Sequence, residues 1–326
     1  MKDPLQKLKK ILGDRSRENE PLARYTTFKI GGPADLFYEA KTTDELVSAV
    51  TEARKLFVPV FMLGGGTNIL IGDRGIRGFV VKNATDRIAI VGAKGKLSGG
   101  TQVGTVFVEA DSGVIMNKLV RFTIEEGLGG LETQLGLPGS VGGAVFMNSK
   151  WTRPQSYVGD SLYQATILTK ANEVSVVPKS YFQFGYDQSS IQKTGDIVLR
   201  VVFSLKPGNK EKLWEMANSV IAYRRETQPQ GVFSPGCTFR NISKSDAIAA
   251  STPQFITSAG FLLDHAGLKE VSVGDAQISP VHANFIINKG KATAADVVKL
   301  IERARNQVKS QFGVELVEEI VRVGEF

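Results

Sequence analysis

Three consecutive glycines, Gly64-Gly65-Gly66, follow the apolar run at residues 58–63 and open the segment LGGGTNIL at residues 63–70. A second glycine-rich segment, LGLPGSVGGAVFMN, spans residues 135–148. Without a β-carbon, backbone N–H groups approach a ligand closely, and clustered N–H groups cradle phosphate oxygens. Two such cradles imply one long phosphate-bearing ligand. The familiar nucleotide loops do not fit: Thr67-Asn68-Ile69-Leu70 follows the three glycines, so neither G-x-G-x-x-G nor G-K-[ST] is present. A Rossmann domain and a P-loop are both disfavoured.

The flanking patterns define the scaffold. Residues 26–40 read as two short strands around Gly31-Gly32-Pro33. Thr42 and Glu45 have capping-box spacing ahead of a stripe formed by Leu46, Val47, Val50, Ala53, Leu56 and Phe57. A buried strand at 58–63 completes a β–α–β element whose glycine loop sits at the strand's C-terminal end, where α/β sheets bind ligands. GFVVKN, RIAIVG and TVFVEA, between residues 78 and 110, predict an antiparallel or mixed sheet. Helical spacing at 117–126 leads into the second glycine segment. Further strands are expected within 163–177 and at 197–205, a boundary at Pro207-Gly208, and a helix at 210–225. Thr293 with Asp296 opens a helix carrying Val297, Leu300, Ile301, Ala304 and Val308, ended by Gly313, before a last strand at 314–323.

Composition narrows the function. With 42% hydrophobic and 22% charged residues over 326 positions, the chain is globular, with a substantial core. One cysteine excludes a disulfide framework and a cysteine-rich zinc site, and two histidines make a metal centre improbable. No signal peptide and no 18-residue apolar run are visible, so a soluble cytoplasmic protein without membrane insertion is expected. The net charge of +7 suits an anionic partner. The basic face of Lys7, Lys9 and Lys10 on an N-terminal helix reads as solvated surface, and no nucleic-acid-binding spacing is present.

Few side chains stand out for chemistry. On the last strand, period two places Glu319 with Val317, Val321 and Val323, a carboxylate in an apolar row that either reaches solvent at an edge or is used. Cys237 sits in a Ser-Pro-Gly-Cys-Thr-Phe turn, either as a small buried hydrophobe or as a presented acid. Asn241 contacts a ligand or satisfies a turn. His265 and His282 have no triad-like setting. Arg224 and Arg225 end a helix, where the macrodipole favours cations; a diphosphate contact is the alternative.

Together, YTTFKIGGPAD from Tyr25, LGGGTNIL, LPGSVGGAVFMN, GCTF at 236–239, AGLK from Ala266, GDAQISPVHANFIIN from Gly274 and FGVELVEEIVRVGE from Phe312 resemble the UDP-N-acetylenolpyruvoylglucosamine reductase family. The resemblance covers nearly the whole chain and rests on the order and spacing of these pieces. It implies an α+β flavoprotein of the vanillyl-alcohol-oxidase/PCMH type: an N-terminal helix (1–22), two α+β FAD-binding subdomains (23–83 and 84–206) and a C-terminal α+β substrate domain (207–326). The implied activity is NADPH-dependent, FAD-mediated reduction of UDP-N-acetylglucosamine-enolpyruvate to UDP-N-acetylmuramate for peptidoglycan synthesis, with FAD tightly bound and no obligate protein partner. By the same resemblance Gly64, Gly65, Gly66, Thr67, Asn68, Ile69 and Leu70 hold FAD from one side, and Pro138, Gly139, Ser140, Gly142 and Gly143 from the other. Cys237 matches the proton donor of a G-[SC]-x-F turn, Glu319 the family's C-terminal glutamate, and Asn241 a substrate-binding asparagine; no metal is implied. Rival readings are another FAD oxidoreductase of this fold and a non-catalytic flavin-binding module.

Two departures accompany the resemblance. Where relatives carry a catalytic arginine in Tyr-Arg-x-Ser, this chain has Tyr186-Asp187-Gln188-Ser189, so either another cation, Arg225 or Arg240, fills the space or catalysis relies more on Cys237 and Glu319. Where many carry Asn-Ala-Gly-Ala-Tyr, it has Asn148-Ser149-Lys150-Trp151-Thr152. The tyrosine-bearing substrate loop of one subgroup is not recognisable, which points to the shorter subgroup.

Overall fold

A computed structural model describes residues 2–98 and 101–326. The chain divides into two interleaved units: Met1–Ser16, Tyr38–Gly65 and Val80–Arg224 form one, and Arg17–Phe37, Gly66–Phe79 and Arg225–Phe326 the other.

Alternating apolar runs dominate the first unit. They form an antiparallel sheet in the order Val174–Pro178, Leu162–Leu168, Ile197–Pro207, Thr101–Asp111, Ile88–Ser98. The strands expected between 78 and 110, within 163–177 and at 197–205 are all present. Val108, Ala110, Val201, Phe203 and Leu205 share a buried cluster with Leu119, Val120 and Ile124 of the Met116–Glu125 helix and Val141 and Val145 of the Val141–Met147 helix. The glycine-rich second segment is thus clamped at both ends of its own short helix. Thr42 caps the Thr43–Lys55 helix by accepting the Glu45 N–H at 3.2 Å. The reciprocal half of the expected box is missing: Glu45 takes the Lys41 N–H at 2.8 Å and the Arg15 guanidinium at 2.6 Å. That guanidinium holds the Glu45 carboxyl down to about 2.

In the second unit the Ala294–Phe312 helix buries Val297, Leu300, Ile301, Ala304 and Val308, as its spacing predicts. Its orphan N-terminal amides are well served: Thr293 and Asp296 form the full capping box, and the Asp73 carboxylate accepts the Ala294 and Ala295 N–H groups at 2.8 and 3.0 Å. This helix packs with Ala259–His265 and with the small sheet Ser272–Val273, Ala276–Ile278 and Ile286–Asn288.

Two expectations are corrected. Only Pro33–Ala40 is a strand in 26–40. Upstream, Gly32 is pinned onto the 72–73 loop, donating to Gly72 O at 3.0 Å, and a Cβ there would lie 2.2 Å from Asp73 O. Of the expected strand at 314–323, only Val321–Val323 finds a ladder partner, parallel to Ile69–Ile71. Residues 314–320 alternate in burial without forming a ladder; Val314, Leu316 and Ile320 point inward, and Val317 is 59% exposed.

Candidate functional site

In the first unit the two glycine segments meet. A Cβ on Gly64 would lie 2.6 Å from Ser140 Oγ, and one on Gly65 would lie 2.5 Å from Gly139 Cα. Glycine is therefore needed so that one loop can rest on the other. The helix that follows keeps its first amides for itself: Val141 donates to Val114 O at 2.8 Å, Gly142 to Ser112 O at 2.7 Å and Gly143 to the Ser140 hydroxyl at 3.4 Å. The amides of Gly142 and Gly143 thus serve packing and capping within the protein. Beside Gly64, Lys82 donates its ammonium to the Gly64 carbonyl, and burial lowers its pKa. Neither segment contains an acidic residue. A desolvated cation next to acid-free, glycine-lined backbone fits a phosphate-bearing group.

In the second unit Cys237, Asn241, Glu319 and Asn68 lie close to one short strip of chain. Thr238 donates to Asn284 O at 2.7 Å, and Glu319 N–H donates to Thr238 O at 2.8 Å. Arg240 N–H donates to Val317 O at 2.9 Å, and Cys237 forms a bridge with Phe285. Asn68 Nδ2 reaches Glu319 O at 3.2 Å, while Val321 N–H donates to Asn68 O. Asn68 therefore anchors the Glu319 backbone, and Ile69 and Leu70 pair with the last strand. Asn241 spends its Oδ1 on the Ala259 N–H at 3.1 Å, capping a helix and leaving its amide donors for other use.

The last segment keeps the expected grouping, and the side that carries it is the exposed one. Glu319 shares its side with exposed Val317 and Val321, whereas the buried side carries Val314, Leu316 and Ile320. Its neighbour Glu318 is the structural carboxylate, bound by Arg305 at 2.5 Å and Arg322 at 2.7 Å. Thr238 Oγ1 and Arg240 Nε, both buried, have no hydrogen-bond partner among the described residues, so polar capacity remains beside the strip.

Both departures from the family motifs fall in the first unit and touch each other. Asp187, 2% exposed and with a left-handed φ of 50°, binds the Lys150 ammonium, which also lies 3.9 Å from the centre of the Tyr186 ring. Asp187 Oδ2 is buried with no hydrogen-bond partner among the described residues, and Asn148 Nδ2 ties the same loop through Gly185 O at 2.9 Å. The cation that pairs with Asp187 is thus Lys150. Its signal in the sequence was the second departure itself, a lysine where relatives carry glycine. Arg224, also in this unit, stacks its guanidinium 4.6 Å from the Trp151 ring centre.

His282 accepts the Asn284 N–H on Nδ1 at 3.2 Å, which places its neutral-state proton on Nε2. Burial pushes the imidazole below its usual value, with Lys269 adding to the effect and Asp264 opposing it. A lowered folded pKa means that the unfolded chain binds this proton more readily. The contribution is therefore fully present above about 6.5 and is lost as pH falls through that value toward the lowered one. Urea midpoints at about pH 7.5 and 5.5 should fall toward acid, and His282→Gln should flatten that slope. An unchanged slope would remove His282 as its source.

Among the described residues no group of three or more His, Cys, Asp or Glu is placed to hold a metal ion, and no helix is long and apolar enough to cross a membrane. Residues 34–176 match the FAD binding domain family, and residues 228–323 match the UDP-N-acetylenolpyruvoylglucosamine reductase C-terminal domain. The UDP-N-acetylenolpyruvoylglucosamine reductase of Caldanaerobacter subterraneus subsp. tengcongensis is 36% identical over 322 residues, 98% of each chain. That of Clostridium kluyveri is 34% identical over 321 residues, 98% of this chain and 97% of the relative. The crystal structure of the Thermus caldophilus reductase aligns with a TM-score of 0.73 at 31% identity, covering 94% of this chain and 98% of that one. A VAO-type flavoprotein from Myceliophthora thermophila, with a TM-score of 0.55 at 10% identity, shares the fold alone. The fold is that of vanillyl-alcohol-oxidase-type flavoproteins, and the chain belongs to the UDP-N-acetylenolpyruvoylglucosamine reductase family.

Proposed function

We propose that this protein reduces UDP-N-acetylglucosamine-enolpyruvate to UDP-N-acetylmuramate in the cytoplasm, using FAD and NADPH, as a step of peptidoglycan precursor synthesis. The observation that carries the reading is the strip at 237–240. It joins two motifs distant in sequence, so that Glu319 N–H bonds the carbonyl of the residue next to Cys237. FAD would be held by residues 64–70 and by Pro138, Gly139 and Ser140, with Lys82 supporting the first segment.

Bound FAD would supply the redox chemistry, the transfer of a hydride from NADPH to the enolpyruvyl double bond. Hydride on one alkene carbon leaves two electrons on the other as an enolate beside the substrate carboxylate. The protein must then supply one proton there, and Cys237 supplies it. A thiol, with a reference pKa of about 8.5, gives up a proton far more readily than a serine hydroxyl. The resulting thiolate regains its proton from solvent, so hydride and proton together reduce one double bond. Glu319 acts with Cys237 as a catalytic residue, the amide donors of Asn241 orient the substrate, and Arg240 supplies positive charge in the same unit.

The test is NADPH consumption by the purified flavoprotein. Oxidation that starts only when the enolpyruvyl sugar is added, with UDP-N-acetylmuramate as product, is the expected result. NADPH consumption indifferent to that sugar would reject the reading.

A further inference from the structure

Asn284 is 3% exposed and holds three backbone groups of the strip that carries Cys237. Its carbonyl accepts the Thr238 N–H at 2.7 Å. Its side-chain Oδ1 accepts the Phe239 N–H at 2.9 Å, and its Nδ2 donates to Phe239 O at 2.8 Å. A carboxamide that pairs with both the N–H and the C=O of one residue takes the place of a neighbouring strand. The regular bridge ends at Cys237 and Phe285, because residues 282–285 turn back on themselves: Phe285 N–H donates to His282 O at 2.9 Å. The opposite side of the strip is held by residues 317–319. On its N-terminal side stands Gly236, with φ +94°, open space where a Cβ would be, and its N–H on the Ser234 hydroxyl at 3.3 Å.

We propose that Asn284 is a positioning residue for proton delivery: its carboxamide fixes the strip between Cys237 and Glu319, and so sets where the thiol points. This rests on the reading of Cys237 as the proton donor. Asn284 itself does not touch the reacting atoms. Its effect should therefore fall on the step that needs the thiol, while NADPH reduction of the bound flavin is spared.

Two readouts test this. In stopped flow, Asn284→Ala should slow reoxidation of the reduced flavin by the enolpyruvyl sugar about 10- to 100-fold, the effect of misplacing a catalytic group by about 1 Å, with NADPH reduction within about twofold of the parent. Alkylation by iodoacetamide needs neither cofactor nor substrate, and Cys237 is the only cysteine. Its rate should rise about threefold or more in Asn284→Ala as the strip opens locally. If Asn284→Ala does not fold, Asn284→Asp serves. As a carboxylate it accepts from Phe239 but cannot donate, and when protonated it does both, so the ratio of its alkylation rate to the parent's at the same pH should fall toward one as pH is lowered. A folded Asn284→Ala with parental reoxidation and alkylation rates, or equal loss in both half-reactions, overturns the inference. A parent enzyme that is not reoxidised by the sugar overturns the proposed function instead.

Discussion

Cys237→Ala is expected to leave a folded flavoprotein that NADPH still reduces but the enolpyruvyl sugar hardly reoxidises. Cys237 is half-buried, and the backbone hydrogen bonds that hold Thr238, Phe239 and Arg240 do not run through its sulfur, so the strip should survive the substitution. What disappears is the proton, and general acid catalysis of this kind contributes about 10²- to 10⁴-fold. Cys237→Ser keeps a proton at nearly the same point on a weaker acid and should retain appreciable turnover. Half-reactions followed at the flavin absorbance separate the two effects. Equal collapse of the alanine and serine variants would contradict the donor role, and a loss of NADPH reduction would place Cys237 in the flavin site.

Lys150→Met is expected to be among the most destabilising single changes in the first unit. The side chains of Lys150 and Asp187 are only 14% and 3% exposed, so the substitution strands a carboxylate that already has one oxygen with no hydrogen-bond partner among the described residues. Removing one member of a buried pair costs about 3–5 kcal/mol, whereas replacing both by neutral groups is often close to neutral. Lys150→Met with Asp187→Asn should therefore recover most of the loss, as read by urea unfolding. Asp187→Arg should be as harmful as Lys150→Met. It sets a guanidinium against the Lys150 ammonium, and it puts a long side chain at a left-handed φ that Asp tolerates better. A Lys150→Met variant as stable as the parent, or a double variant no better than the single, would show that the pair contributes nothing.

These two predictions draw on different kinds of information. Cys237, Glu319 and Asn241 were legible as candidates because each lies in a short motif at a characteristic place in the chain. The Thr293 cap and the stripe from Val297 to Val308 were legible because a helix is specified by residues three and four apart. The last segment was misread for a related reason: its alternation is real, but a ladder forms only at 321–323 beside Ile69–Ile71, while 317–319 make only an isolated bridge with 238–240. The alternative left open at Glu319 has the same origin, since alternation says which residues share a face and not which face is buried.

The Lys150–Asp187 pair was invisible as a pair, because 37 positions separate its members. Each looked like an isolated loss from a motif. Asn284 gave no signal at all, since an asparagine inside Val-His-Ala-Asn-Phe carries no local pattern that marks it as a substitute strand.

By itself, the amino-acid sequence determined the two glycine segments, the capping signals, the helical stripes and the order of motifs that mark the family. All of these are set by residues within a turn or a pleat of one another, or by linear order. Tertiary structure decided which amides of the glycine segments serve packing, which lysine neutralises Asp187, and what holds Cys237 beside the backbone of Glu319. Those outcomes depend on desolvation and on contacts between residues far apart in the chain, and only the folded chain brings such residues within hydrogen-bonding distance.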